Sequence, residues 1–152
     1  SAMFARLALA HEEDAFVEMG KANVAETLAG EPCDEARLRE IFQEYLATAR
    51  PTVWFVEAER RPIGLLMADV GQFDYRAGLF VVQKVIYVSP EKRGTRAAVL
   101  LTKELIRWSR HIGAVEIIGG NDNGFQSERT AAFLGHFGFR KVGFTMSLRL
   151  TG

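Results

Sequence analysis

The run Val85–Leu101, VIYVSPEKRGTRAAVLL, constrains this chain more than any other stretch. An apolar, β-branched segment stops at Pro90 and crosses a short polar turn. Apolar residues then return at helical spacing, with Ala98, Leu101, Leu105, Trp108 and Ile112 stepping by 3, 4, 3 and 4 positions before Gly113 closes the helix. A helix that starts this way leaves its first N–H groups without intrahelical acceptors, at the positive end of its dipole. Gly94 permits positive φ or the close approach of a ligand, and Arg93 and Arg96 add charged donors. Such a turn suits a phosphate. Any strand-to-helix turn also favours glycine and tolerates exposed arginines, so the turn alone leaves both readings open.

The rest of the chain supplies the frame. Phe4–Leu9 reads as a first strand, and acids at Glu12, Glu13 and Asp14 open a helix carrying Phe16 and Met19. Asp34 can cap a second helix, with a stripe of Leu38, Ile41, Phe42, Tyr45 and Leu46, which Pro51 ends. Thr52–Ala58, Ile63–Val70 and Leu79–Val88 read as three strands of an antiparallel meander, the last central because it is apolar on both faces. Gly71–Gly78 is a polar loop. Ala114–Ile118 reads as a buried strand, parallel to Leu79–Val88 across the helical crossover. Ser127 can cap a helix running through Phe133 and Leu134 to Phe137, and Lys141–Leu150 is a final strand. The expected architecture is α/β (mixed α+β): one domain over residues 3–152, with a mixed, partly splayed sheet of about six to seven strands flanked by about four helices. Ser1-Ala2 is expected to be a tag remnant.

Nineteen basic residues balance nineteen acidic ones, so no global field favours nucleic acid or an anionic membrane, and any anion must meet a local site. No apolar run reaches transmembrane length and no signal-peptide pattern opens the chain. The single Cys33 has no partner for a disulfide and no Cys/His cluster has zinc spacing, so no metal and a cytoplasmic setting are expected. Cys33 lies at a helix start without a visible partner base, which reads as an inert thiol.

Two separated motifs carry a resemblance. V-S-P-E-K-R-G-T-R-A-A-V-L-L resembles the acetyl-CoA signature of the GNAT acyltransferase superfamily, a V-x-P strand end followed by R-G-x-G-x-G/A and a long helix. Gly120-Asn121-Asp122-Asn123-Gly124 and Thr130–Phe139, TAAFLGHFGF, resemble the second signature, an asparagine-bearing loop and a helix ending in G-F. The element order matches that family over nearly the whole chain. Two positions depart from it: Arg96 replaces the second glycine, and Leu134 stands where many members carry a tyrosine that protonates the departing thiolate.

The resemblance implies acetyl-CoA as cofactor. Backbone N–H groups from Arg93, Gly94, Thr95, Arg96, Ala97 and Ala98 would hold its diphosphate, and backbone groups of Ile86 and Val88 would pair with the pantetheine arm, with Asn121 beside it. The pairing requires the strands Leu79–Val88 and Ala114–Ile118 to splay. Read from the residues, Gln83 and Tyr87 fall on one face by alternation and could line the acceptor site, unless the polar pair Gln83-Lys84 marks a bulge that shifts the faces. Asn121 is a third catalytic candidate. Asp122 and Glu116 are possible bases, read more simply as a turn residue and an edge acid. His136 reads as solvated, the stripe Phe133, Phe137 and Phe139 as core, and Lys92 and Arg129 as surface cations within reach of a further phosphate.

The expected function is N-acetyl transfer from acetyl-CoA to a primary amine by direct attack in a ternary complex, since no Cys or Ser has a nucleophile's arrangement. The alternative is an acyl-CoA-binding or scaffold domain of the same fold without turnover, motivated by Leu134 and Arg96. The acceptor is a small-molecule or peptide amine, with the first two helices and the Gly71–Gly78 loop walling its pocket. The last strands would present an edge through which two copies could form a homodimer.

Overall fold

A computed structural model describes residues 2–120 and 123–151. The chain divides into two compact units, Ser1–Ile118 and Gly119–Gly152. In the first, β1 (Met3–Leu7) and a short 3₁₀ turn (Ala10–Glu12) lead to α1 (Glu13–Thr27) and α2 (Glu35–Thr48). A meander of β2 (Thr52–Ala58), β3 (Arg61–Gln72) and β4 (Leu79–Val88) follows, then a 3₁₀ turn (Pro90–Lys92), α3 (Ala97–His111) and β5 (Ala114–Ile118). The sheet runs β1-β2-β3-β4-β5, antiparallel except for the parallel β4–β5 pair. The parallel pair follows from the helical crossover, which returns the chain to the same end of the sheet.

Each face of the sheet carries its own apolar layer. Against α3 pack Trp54, Val56, Ile63, Leu66, Ala68 and Val81, with Leu101 and Leu105 fully buried on the helix and Trp108 edge-on to Trp54 at 5.0 Å. Against α1 and α2 pack Val53, Phe55, Leu65, Met67 and Tyr87, with Phe42 between Phe16 and Tyr45 at ring distances of 5.3 and 5.6 Å. Burying each large side chain contributes about 1.5–3 kcal/mol. Asp34 caps α2 as its sequence predicts, its Oδ1 accepting from Ala36 N (2.9 Å) and Arg37 N (3.4 Å).

The second unit holds α4 (Ser127–Gly135). Its N-cap is Gln126, in left-handed backbone at φ 50°, and Ser127 is the first helical residue rather than the cap. The G-F pair ends the helix in a Schellman turn. Phe139 N donates to Leu134 O and Gly138 N to Gly135 O, with Gly138 at φ 97°, a conformation that favours glycine. Phe133 and Phe137 stack edge-on at 5.3 Å and are half-buried, while Leu134 is the buried residue of the helix.

Two expectations are corrected. Lys141–Leu150 forms no ladder, so the sheet has five strands rather than six to seven. Alternation makes a segment competent to pair, but it does not by itself supply the partner strand that a ladder requires. Val142, Phe144, Met146, Leu148 and Leu150 all stay exposed. Nor is β5 a buried strand: Val115 is 51% and Ile118 45% exposed, because β5 is an edge with β4 as its one ladder neighbour.

Candidate functional site

β5 is half the length of β4. The two pair only over Leu79–Val82, opposite Ala114–Ile118, so β4 runs on through Gln83–Val88 with no strand on that side among the described residues. Ser89 N donates to Ile63 O (2.8 Å), and Ser89 continues the β3–β4 register in which Val88 faces Gly64 and Tyr87 faces Leu65. Bonded and non-bonded pairs alternate along an antiparallel ladder. Tyr87 therefore turns its backbone groups toward β3, and Ile86 and Val88 turn theirs toward the open edge. The sheet thus presents a short, unpaired stretch of backbone that ends in the turn before α3. The edge opens where β5 stops, opposite Val82.

A bulge divides β4 just before this stretch. Ala68 pairs with Gln83 but Met67 with Val85, leaving the exposed Lys84 as the extra residue. Cross-strand partners share a face, so Gln83, opposite Ala68, lies in the α3 layer, and Tyr87, opposite Leu65, lies in the α1/α2 layer. The expectation that Gln83 and Tyr87 share a face is overturned, because one inserted residue inverts every later side chain. Gln83 is buried and its Oε1 has no hydrogen-bond donor among the described residues. Tyr87 is also buried. Burial pushes its hydroxyl pKa up against the opposing charge of Arg93, whose guanidinium lies 5.7 Å from the ring centre, so the hydroxyl stays protonated.

The turn itself is open. Gly94 has φ 82°, and a Cβ built there would meet nothing within 4 Å. Thr95 Oγ1 donates to Lys92 O and accepts from Ala97 N (3.3 Å), and Arg93 N donates to Pro90 O (3.3 Å). The Ala98 and Val99 amides find no acceptor among the described residues, as the first turn of a helix requires. Arg96 is exposed rather than folded into the turn.

The Arg93 guanidinium is held rather than free. Its Nη1 and Nη2 donate to Glu26 Oε2 (2.6 Å) and Oε1 (2.7 Å), and its Nε to Val88 O (3.0 Å). Sequence reasoning missed Glu26. The available signal was its position in the last turn of α1, where the helix dipole disfavours an acid.

Lys92 is engaged by Glu59 (3.2 Å), while Glu116, His136 and Arg129 are exposed. Cys33 is free and exposed. Asn121 and Asp122 lie outside the described residues. Asn123 Oδ1 accepts from Phe125 N (2.9 Å), a local turn contact. No group of metal-binding side chains occurs among the described residues, and no described helix is long and apolar enough to cross a membrane.

A strand edge left unpaired among the described residues thus lies directly beside a glycine turn at a helix start, within a mixed sheet carrying helices on both faces. Over residues 16–139 the chain matches the acetyltransferase (GNAT) family, and it belongs to that family. Solved structures share its mixed α/β fold. A predicted acetyltransferase with acetyl-CoA from Clostridium acetobutylicum is 18% identical at a TM-score of 0.81, the match covering 98% of this chain and 97% of that one. Glucosamine-6-phosphate N-acetyltransferase from Arabidopsis thaliana is 13% identical at a TM-score of 0.79, covering 99% and 100%. An acetyltransferase from Trypanosoma brucei is 18% identical at a TM-score of 0.76, covering 98% and 100%. No curated protein matches the chain by sequence.

Proposed function

We propose that the protein is an acetyl-CoA-dependent N-acetyltransferase acting on a primary amine. The observation that carries this reading is the open edge of β4 over Gln83–Val88, which runs directly into the exposed Gly94 turn. The residues present fit the ligand. Ile86 offers an outward N–H and C=O to the amides of the pantetheine arm, as an added strand would. The opening amides of α3, with Gly94 leaving the approach clear, suit a diphosphate. The orphaned Oε1 of Gln83 lies on β4 immediately past the last residue paired with β5, where an arm lying along the edge could supply its missing donor. Bound acetyl-CoA supplies a thioester carbonyl carbon for amine attack, the electron pair of the breaking C–S bond leaving on sulfur.

The chain's own part is positioning. Tyr87 faces the α1/α2 side, where those helices would wall the acceptor, and its protonated hydroxyl is a donor there. Gln83, on the opposite face, is assigned to the arm rather than to the acceptor. Asn121 is assigned to the arm on sequence grounds. Leu134 would supply no proton to a departing thiolate, which a thiol of pKa about 8.5 would tolerate.

Acetyl-CoA at millimolar concentration is expected to raise the melting temperature, and thiol release with a panel of amines reports turnover. Gly94→Pro should abolish the shift by reshaping the turn. No shift in the wild type would sink the proposal. One observation favours a second reading, an acyl-CoA-binding domain without turnover: Leu134 is buried and carries no donor. A melting shift without thiol release from any amine selects that reading.

A further inference from the structure

The Arg93–Glu26 contact joins two elements that are far apart in sequence and sits where the proposed ligand would bind. All three nitrogens of the Arg93 guanidinium are engaged, two by Glu26 and one by Val88 O, and the plane lies over Tyr87. Val88 is one of the two residues whose backbone faces the open edge. Its carbonyl thus already accepts an N–H in the position where a bound arm would donate one. Glu26 thus holds a guanidinium of the turn in an ion pair.

We propose that Glu26 is a positioning residue that parks Arg93 across the open edge, and that binding exchanges this contact: the diphosphate takes the guanidinium from Glu26 while the arm takes Val88 O from Nε. This rests on the acyl-CoA reading of the site. The exchange is inexpensive because the pair is half-exposed, with side-chain exposures of 41% for Arg93 and 30% for Glu26. Ion pairs in such surroundings contribute little net stability, whereas a diphosphate offers the guanidinium more negative charge and the amides of α3 bind it at the same time. Glu26 therefore sets how much of the turn's positive charge a ligand meets.

The test titrates inorganic pyrophosphate and, separately, coenzyme A into wild type, Glu26→Gln, Arg93→Gln and the double variant by calorimetry, with the Arg93 Nε–H resonance followed by NMR. Glu26→Gln should bind pyrophosphate about two- to fivefold more tightly than wild type, the range expected from losing one half-exposed competitor. Arg93→Gln should bind more weakly, and in the Arg93→Gln background the Glu26 substitution should have no effect. In wild type the Nε–H resonance should move on adding pyrophosphate. A purely structural tether would instead make Glu26→Gln neutral or weaker, and that result overturns the proposal, as does a stationary Nε–H resonance or no pyrophosphate binding by wild type and Glu26→Gln alike. Failure of coenzyme A to bind while pyrophosphate shows the expected order would remove the acyl-CoA reading and leave the exchange standing. A melting temperature for Glu26→Gln close to wild type checks that folding is unchanged.

Discussion

Glu12 is only 8% exposed, yet all of its oxygens are used. Arg6 donates Nη1 and Nη2 to its two oxygens at 2.8 Å, Leu9 N adds a third bond at 2.8 Å, and Arg6 Nε reaches Glu57 at 2.9 Å. Burial pushes the Glu12 carboxyl up, but the Arg6 and Leu9 bonds outweigh it and the net shift is downward. A lowered folded-state pKa means that its stabilisation is complete above the unfolded value of about 4.3 and is lost as pH falls through the folded value. Glu12→Gln should therefore be less stable at neutral pH, and its melting temperature should fall less than that of wild type between about pH 5 and pH 3. Gln83 behaves in the opposite sense. A buried acceptor without a donor costs about 1–3 kcal/mol, so Gln83→Leu should raise the melting temperature of the free protein by about 2–4 °C for each kcal/mol recovered. It should also weaken acetyl-CoA binding measured by calorimetry. A variant that loses stability shows that Oε1 has a partner in solution. At Gly94 the cost is conformational alone, since no atom lies within 4 Å of a built Cβ, and Gly94→Ala should destabilise by about 1–2 kcal/mol in urea unfolding.

Among the elements, α3 and α2 show how much local pattern can carry. The spacing of apolar residues after Arg96 specified a one-sided helix, and Leu101 and Leu105 are fully buried against the sheet. Leu101→Ala should cost about 2–5 kcal/mol by chemical denaturation, more than any surface change on the same helix. Asp34→Ala should cost about 1 kcal/mol, because the cap serves two otherwise unpaired amides. The bounds of β2, β4 and β5 follow from β-branched runs ended by Pro, Gly and charged residues. The face of each β4 side chain did not follow from alternation, since the bulge at Lys84 depends on how β3 meets β4.

At the scale of the whole molecule, a five-stranded sheet carries α3 on one face and α1 with α2 on the other. Phe144, in the segment after α4, is 100% exposed. Phe144→Ser should change stability by less than about 0.5 kcal/mol, as for a surface position without contacts. A larger loss in denaturant titration would mean that this ring is covered in solution. The sequence by itself determined the helices, the first five strands, the Asp34 cap and the Gly94 turn, because propensity, periodicity and capping act over a few neighbouring residues. It also carried the motifs by which the family is recognised. Only the tertiary structure decided that β5 stops short, that Gln83 and Tyr87 face opposite layers, that Arg93 is held by Glu26, and that 141–150 forms no ladder. Each of these depends on which distant backbone or side chain arrives beside a given residue, and loop closure, register and edge pairing set that arrival without leaving a local periodic trace.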